Sequence, residues 1–108
     1  MKSPHQSVIV LVTAPTLPIA RRLVRTALEQ RLIACANIVP RLESHYWWEG
    51  KMTTSRELLL ILKSRKSLVR KLERVIHALH PYDTPEFVIL PLTGGSRRYL
   101  NWLLSETS

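Results

Sequence analysis

Two runs of five residues, 8–12 and 58–62, are apolar at every position. Each is far shorter than the roughly 20 residues needed to cross a bilayer, and apolar runs of this length are typical of buried strands. An antiparallel strand with one face in water alternates apolar and polar residues instead. Both runs therefore predict strands that are covered on both faces of a sheet.

The first predicted helix follows the first run. Thr16 is placed to cap its N-terminus, and Pro18 is tolerated in the first turn, where backbone N–H groups lack partners. Apolar residues then recur three and four positions apart as far as about residue 30, which gives one apolar stripe. Residues 34–39 predict a second strand, and Pro40 closes it.

A β-hairpin is predicted next. A polar–apolar stretch over residues 43–48 leads to a turn near residues 49–51, and the run at 58–62 returns as the third strand. Alternation sends Trp47 to one face of this hairpin and its two aromatic neighbours to the other.

A second helical period spans residues 68–79, with Ser64 or Ser67 as its N-cap. The helix ends at His80, because a residue that precedes proline is steered out of the α region. Residues 87–92 then predict a fourth strand.

After a turn at residues 94–95, Ser96 is placed to cap a short final helix. The predicted order is β-α-β-β-α-β, an α+β, ferredoxin-like fold with an extended β-hairpin and an extra C-terminal helix. No linker or repeat interrupts it, so residues 1–108 are predicted to form a single domain. In such a fold both helices cover one sheet face, and the chain has no spare element large enough for the other. A second copy of the chain is the simplest cover, so we expect an oligomer.

The chain carries a net charge of +8. A basic excess is typical of proteins that bind nucleic acid or anionic membranes, and equally of a solvated surface. Here the basic residues fall between the apolar positions of the two predicted helices, which favours the solvated surface. We therefore expect no membrane and no nucleic-acid partner, and a nucleic-acid-associated basic module is the alternative. The residues are Arg21, Arg22, Arg25 and Arg31 on the first helical segment and Arg65, Lys66, Arg70, Lys71 and Arg74 on the second.

The motifs of several functional classes are missing. An RNA-recognition domain of this topology has aromatic residues on its third strand, and residues 57–62 contain none. A metal chaperone of this topology has C-x-x-C after its first strand, and residues 13–18 contain no sulfur. No phosphate loop, nucleophile elbow or zinc-protease helix occurs, so we expect no enzyme.

Cys35 is the only cysteine, so the chain has no intrachain disulfide. This fits a reducing compartment, and with no signal-like segment before residue 8 we expect a soluble, cytoplasmic protein. Cys35 and His80 could form a thiol–imidazole pair. A lone cysteine in an apolar strand is more often a small buried hydrophobe, however.

Five strings of residues, in this order and spacing, resemble the CutA divalent-ion tolerance family. They are VTAP at 12–15, ACANI at 34–38, YWWEGK at 46–51, HPYDTPE at 80–86 and YLNWL at 99–103. The resemblance covers the chain from about residue 8 to about residue 104. It implies a tight homotrimer similar to the PII signalling proteins, a role in tolerance of copper and other divalent cations, and no established enzymatic activity. The resemblance also leaves room for a protein partner that it does not identify.

The resemblance implies a metal site for Cu(II) or another divalent cation, with Cys35 and His80 as candidate ligands, since thiolate and imidazole both suit copper. The hydrophobic content of 45% allows a core to form without a structural metal. Some members of the family have cysteine where this chain has Val12 and a second histidine where it has Leu79. A site therefore needs further ligands from a neighbouring subunit. His77 could chelate together with His80, although surface histidines are commoner, and His80 could instead bond the last helix carbonyls.

The other candidates are expected at clefts or interfaces between subunits. Aromatic residues favour an interface, and the charged residues could line a ligand cleft or serve as surface charges and ion-pair partners. A PII-like signalling scaffold without metal binding is the alternative within this reading. The residues are Tyr46, Trp48, Lys51, Glu57, Glu86, Tyr99 and Trp102.

Overall fold

The computed structural model describes residues 6–108. The order of its helices and strands confirms the predicted ferredoxin-like α+β fold with an extra C-terminal helix. The elements are β1 (Ser7–Ala14), α1 (Leu17–Glu29), β2 (Cys35–Trp48), β3 (Lys51–Arg65), α2 (Val69–Leu79), β4 (Val88–Pro91) and α3 (Arg97–Glu106). Within residues 6–108, no helix is both long enough and apolar enough to span a membrane.

The four strands form one antiparallel sheet in the order β2-β3-β1-β4. The two apolar runs lie on its central strands and pair directly, with Val10 opposite Leu62 and Val12 opposite Leu60. Central strands have neighbours on both sides, so these positions contribute to both faces of the sheet.

The first face of the sheet, which we call the helix face, is covered by α1 and α2. Alternation places Val10, Val12, Leu60 and Leu62 on this face, and all four are fully buried. The helices contribute the apolar residues of their inner stripes to the same core, and these are Ala20, Leu23, Ala27, Leu72 and Ile76.

The second face of the sheet is partly covered by α3, which corrects the expectation that the chain has no element for it. Leu100, Leu103 and Leu104 on α3 are buried. Arg65 projects from the second face and donates from Nε to Thr107 Oγ1 at 3.0 Å and from its guanidinium to the Leu104 carbonyl. A guanidinium at a helix C-terminus also meets the negative end of the helix dipole. The short α3 therefore covers one end of this face.

The rest of the second face is open. Val39, Val88 and Leu90 are exposed there, beside partly buried residues of β1 and β3. We call Val39, Val88 and Leu90 the open face. A contiguous apolar surface of this kind is typical of an interface.

The second strand is longer than predicted. Pro40 does not end it, because a bulge between Val39 and Leu42, with Arg41 at φ 63°, lets the strand continue. A proline removes one ladder hydrogen bond, which is tolerated at a bulge on an edge strand. The hairpin then reaches its predicted turn, where Glu49 and Gly50 both have positive φ, as a type I′ turn requires.

Two of the three predicted helix caps are confirmed. Thr16 Oγ1 accepts from the Ile19 N–H and Ser96 Oγ accepts from the Tyr99 N–H. The prediction that Ser64 or Ser67 caps α2 is wrong. Ser64 lies on the helix face and donates to the Leu32 carbonyl at 2.6 Å, and a 3₁₀ turn, Lys66–Leu68, leads into α2 without a side-chain cap.

Candidate functional site

Glu57 is a buried carboxylate at the point where β3 enters the body of the protein. Its side chain lies on the second face of the sheet, by alternation with Leu58, and only 7% of the residue is exposed. The Tyr82 hydroxyl donates to Glu57 Oε2 at 3.3 Å. A buried carboxylate needs such donors, because removal from water destabilises its charge.

Tyr82 is held in place by His80. The Tyr82 N–H donates to His80 Nδ1 at 3.1 Å, so the ring proton of the neutral imidazole lies on Nε2. Nε2 donates to the Thr13 carbonyl at 2.7 Å, at the end of β1. The His80 ring therefore ties the segment after α2 to the sheet, and both of its nitrogens are occupied by hydrogen bonds.

Glu86 lies near Glu57. Partial burial of its carboxyl raises the pKa of Glu86, and the negative charge of Glu57 raises it further. Burial also raises the pKa of Tyr82, with the Glu57 charge and the hydrogen bond to Glu57 as further causes. We call Glu57, Tyr82 and Glu86 the acidic cluster. The charge of Glu57 therefore favours a proton or a cation at Glu86.

The aromatic arm of the hairpin borders the acidic cluster. Register places Tyr46, Trp48, Lys51 and Glu57 on the same side of the β2–β3 hairpin, as the predicted alternation requires. The Tyr46 hydroxyl is 2.5 Å from Ser55 Oγ, and Tyr46 contributes to the raised pKa of Tyr82, after burial and Glu57. The far end of the arm is open to solvent: Trp47, on the opposite side, is 71% exposed.

Cys35 lies at the other end of the second face, under α3. Its Sγ is 3.6 Å from the Tyr99 hydroxyl, and its cross-strand neighbour Lys63 lies 5.7 Å from the centroid of the Tyr99 ring. Burial lowers the pKa of Lys63, but hydrogen bonding to Tyr99 and interactions with Cys35 outweigh it and raise that pKa overall. Tyr99 and Trp102 stack at a tilt with centroids 5.5 Å apart. These contacts join α3 to the sheet.

The two predicted metal ligands, Cys35 and His80, are not brought together within one subunit. Cys35 pairs with Lys63, which pairs with Ile9, whereas His80 bonds Thr13 four residues further along β1. Four residues of a strand span about 13 Å. Across residues 6–108, no group of three or more His, Cys, Asp or Glu side chains is arranged to hold a metal ion. A site at Cys35 and His80 stays a prediction and needs ligands from another subunit.

The predicted chelating pair of histidines also separates. His77 is exposed and lies 6.4 Å from the Phe87 ring centroid, whereas the His80 ring points to β1. His80 does not bond the last helix carbonyls through its ring. Its backbone N–H does so, reaching the Ile76 carbonyl at 2.9 Å.

Tyr82 was missed as a site residue. It lies in the 80–86 string, but only its contact with Glu57, 25 positions earlier, shows its role. A tyrosine three residues after the last residue of a helix lies outside the apolar period of that helix, so no sequence pattern marks it. The proline and histidine before it were the available signal, because they mark a fixed turn.

Fold and acidic cluster together define a small ferredoxin-like α+β protein with oxygen donors gathered at one end of an open sheet face. The sequence profile of the CutA1 divalent ion tolerance protein matches residues 8–106, and the chain belongs to this family. This confirms the resemblance seen in the five strings. The family is described by divalent ion tolerance and not by a reaction.

Relatives and solved structures agree with this assignment. The divalent-cation tolerance protein CutA of Thermus thermophilus is 44% identical over 99 residues, 92% of this chain and 96% of that protein. The rice protein CutA 1, chloroplastic, is 46% identical over 101 residues, 94% of this chain. The Thermus thermophilus structure superposes with a TM-score of 0.92 at 43% identity, covering 94% of this chain and 99% of that one. The rice CutA1 crystal structure superposes with a TM-score of 0.92 at 46% identity, covering 95% of this chain and 94% of the rice chain.

The plant relatives are longer than this chain. The matched region spans 57% of the rice protein and 56% of the Arabidopsis thaliana protein CutA, chloroplastic.

Proposed function

We propose that this protein acts in the response to divalent metal ions as a homotrimer that binds a cation at clefts between its subunits. The observation that carries the proposal is the acidic cluster, in which buried Glu57 and neighbouring Glu86 gather charge at the edge of the open face. The family's link to divalent ion tolerance supports it.

The open face supports the assembly. Val39, Val88 and Leu90 expose apolar surface next to the acidic cluster, and the arm exposes Trp47 and Met52. Covering such surface with another copy removes apolar area from water, which is the main driving force for association. Three copies are what the family resemblance implies. A neighbouring subunit on the open face would close the cleft over Glu57.

The chemistry of the cluster favours hard cations. Carboxylate and phenol oxygens are ligands of magnesium, calcium and manganese, whereas copper prefers imidazole and thiolate. Both His80 nitrogens are occupied by hydrogen bonds. A cation at Glu57 and Glu86 would relieve the repulsion between the two carboxyls, and Cu(II) at Cys35 is a separate prediction.

Isothermal titration with Mn(II) and with Cu(II) tests the proposal. We expect saturable Mn(II) binding in a simple ratio to the trimer, weakened at least about tenfold in Glu57→Gln combined with Glu86→Gln. Glu43→Gln combined with Glu49→Gln removes two exposed carboxylates of the arm and is the matched control. Light scattering on the same samples gives the mass of the assembly.

Each outcome of the titration decides a different part of the proposal. Mn(II) binding that the control weakens equally contradicts the acidic cluster as the site. Cu(II) binding that Cys35→Ser abolishes assigns copper to the thiolate instead. If neither ion releases heat above the buffer control while the trimer is intact, metal binding by this chain is wrong and the PII-like scaffold is the better-supported role.

A further inference from the structure

The outer layer of the molecule is formed by α1 and α2, which contact each other on the helix face of the sheet. Their apolar stripes are buried in the core, through Ala20, Leu23 and Ala27 on α1 and Leu72 and Ile76 on α2. Residues on the opposite sides of the two helices therefore point to solvent together, in one continuous layer.

This outer layer is strongly basic. Six of its exposed side chains are cationic, and the carboxylates of the two helices are Glu29 and Glu73. Within residues 6–108 the ion pairs are Arg31 with Glu106 and Glu43 with His45, so none of the six is paired. We call the six the basic face, and they are Arg21, Arg22, Arg25, Arg70, Lys71 and Arg74.

The composition of the basic face suits phosphate. Five of its six cations are arginines, whose planar guanidinium groups bind phosphate oxygens through two parallel hydrogen bonds. Like charges without counter-charges repel one another, and a polyanion relieves this repulsion while releasing its own counterions.

The basic face fits a nucleic-acid duplex better than a single strand or a membrane. Neither α1 nor α2 contains Phe, Tyr or Trp, whose large rings stack on unpaired bases, and the one ring on these helices is that of His77, beside Phe87. A helix that binds a membrane inserts an apolar face, but here the apolar stripes are buried in the core. Leu17 and Leu28 are the large apolar residues exposed on α1, and α2 exposes none. Contacts to the backbone phosphates of a duplex need none of these features.

We infer that the basic face binds the phosphate backbone of duplex nucleic acid without reading its sequence. Sequence alone favours a merely solvated surface. The structure adds that six of the nine cations form one layer without ion pairs, whereas Arg31 pairs with Glu106 and Arg65 binds α3. The basic face lies on the side of the sheet opposite to the acidic cluster and the open face. Binding is therefore independent of the cation site proposed above.

Fluorescence anisotropy of a short labelled DNA duplex of mixed sequence, measured from about 50 to about 200 mM salt, tests this inference. If four phosphates are neutralised, the slope of log Kobs against log salt is about −3.6. Arg25→Gln combined with Arg74→Gln should reduce the steepness of this slope by about 2. Arg97→Gln combined with Arg98→Gln removes the same charge from exposed positions of α3 and should leave the slope nearly unchanged.

Three results overturn the inference. The first is that no binding to the duplex is detected even at the lowest salt concentration. The second is that the Arg97/Arg98 control loses as much slope as the Arg25/Arg74 variant, which means that net charge alone drives binding. The third is tighter binding to vesicles of anionic phospholipid than to the duplex at the same salt, because that assigns the face to a membrane surface. Equal affinity for two unrelated duplex sequences, together with the expected slopes, supports backbone recognition.

Discussion

Glu57, Tyr82 and Glu86 show how burial, charge and hydrogen bonding act together at single residues. Burial takes Glu57 out of water, and the Tyr82 hydroxyl supplies a donor in return. The Glu57 charge adds to partial burial in raising the pKa of Glu86. His80 accepts a hydrogen bond from the Tyr82 N–H and donates one to the Thr13 carbonyl, so it positions the tyrosine relative to β1. A raised pKa at Glu86 means that its charged form is less stable in the folded protein than in the unfolded chain.

Glu86→Gln should therefore stabilise the cation-free protein at about pH 7. Above the ordinary pKa of 4.5, the unfolded chain loses the Glu86 proton more readily than the folded protein does, so stability falls as pH rises through the raised value. Thermal unfolding in the presence of a chelator should show a higher Tm for the variant at neutral pH and no difference well below pH 4.5. Glu49→Gln, at the exposed hairpin turn, is the control. A lower Tm for Glu86→Gln at neutral pH contradicts the proposed repulsion.

At the scale of elements, α3 decides how much of the second face stays open. Ser96 caps its start, and Arg65 binds its last carbonyls from the sheet. Arg31 and Glu106 add an ion pair at 2.9 Å, which is exposed and so contributes little. Leu103 is fully buried, so most of the docking comes from apolar packing of α3 on the sheet.

Leu103→Ala should loosen α3 and expose Cys35. Truncation of a buried leucine typically costs about 2–5 kcal/mol, and Leu103 lies between the buried Leu100 and Leu104 that dock α3 on the sheet. Because the Cys35 thiol lies 3.6 Å from the Tyr99 hydroxyl of α3, its native-state reaction with a thiol reagent should be faster in the variant. Asn101→Ala, on the exposed side of α3, should change the labelling rate little. Equal rates for the two variants would mean that α3 does not protect Cys35.

At the scale of the whole molecule, the chain is elongated and its sheet is unevenly covered. Its principal extents are 48 × 26 × 23 Å, and the β2–β3 hairpin accounts for the long axis. On the helix face α1 and α2 bury the residues of β1 and β3, whereas Val39, Val88 and Leu90 stay exposed on the other side. A molecule of this shape has an apolar surface on one side, where we propose that other copies bind, and a basic surface on the other.

Leu90→Glu should dissociate the assembly, because it places an unpaired charge in the proposed interface. Light scattering coupled to size-exclusion chromatography should show the mass shift from trimer to monomer. Leu28→Glu is the matched control, since Leu28 is 40% exposed and Leu90 is 42% exposed, but Leu28 lies on α1. An unchanged mass for Leu90→Glu, or dissociation by both variants, contradicts assembly through the open face.

The amino-acid sequence by itself determined the elements whose signals are local. The caps Thr16 and Ser96, the end of α2 at His80 and the hairpin turn at Gly50 follow from the chemistry of neighbouring residues, and all four are confirmed. The order of these elements was enough to predict the fold, because few topologies connect them. The five sequence strings were enough to predict the family, which the family profile confirms.

Only the tertiary structure decided the features that depend on strand register and on contacts between distant residues. The contact of Tyr82 with Glu57, the inward turn of Ser64 and the docking of α3 each join residues at least 25 positions apart. It also separated Cys35 from His80, which no spacing in the chain reveals. Local propensity acts over a few residues, whereas the partner of a side chain on a sheet is chosen by the pairing of whole strands and by what packs on them.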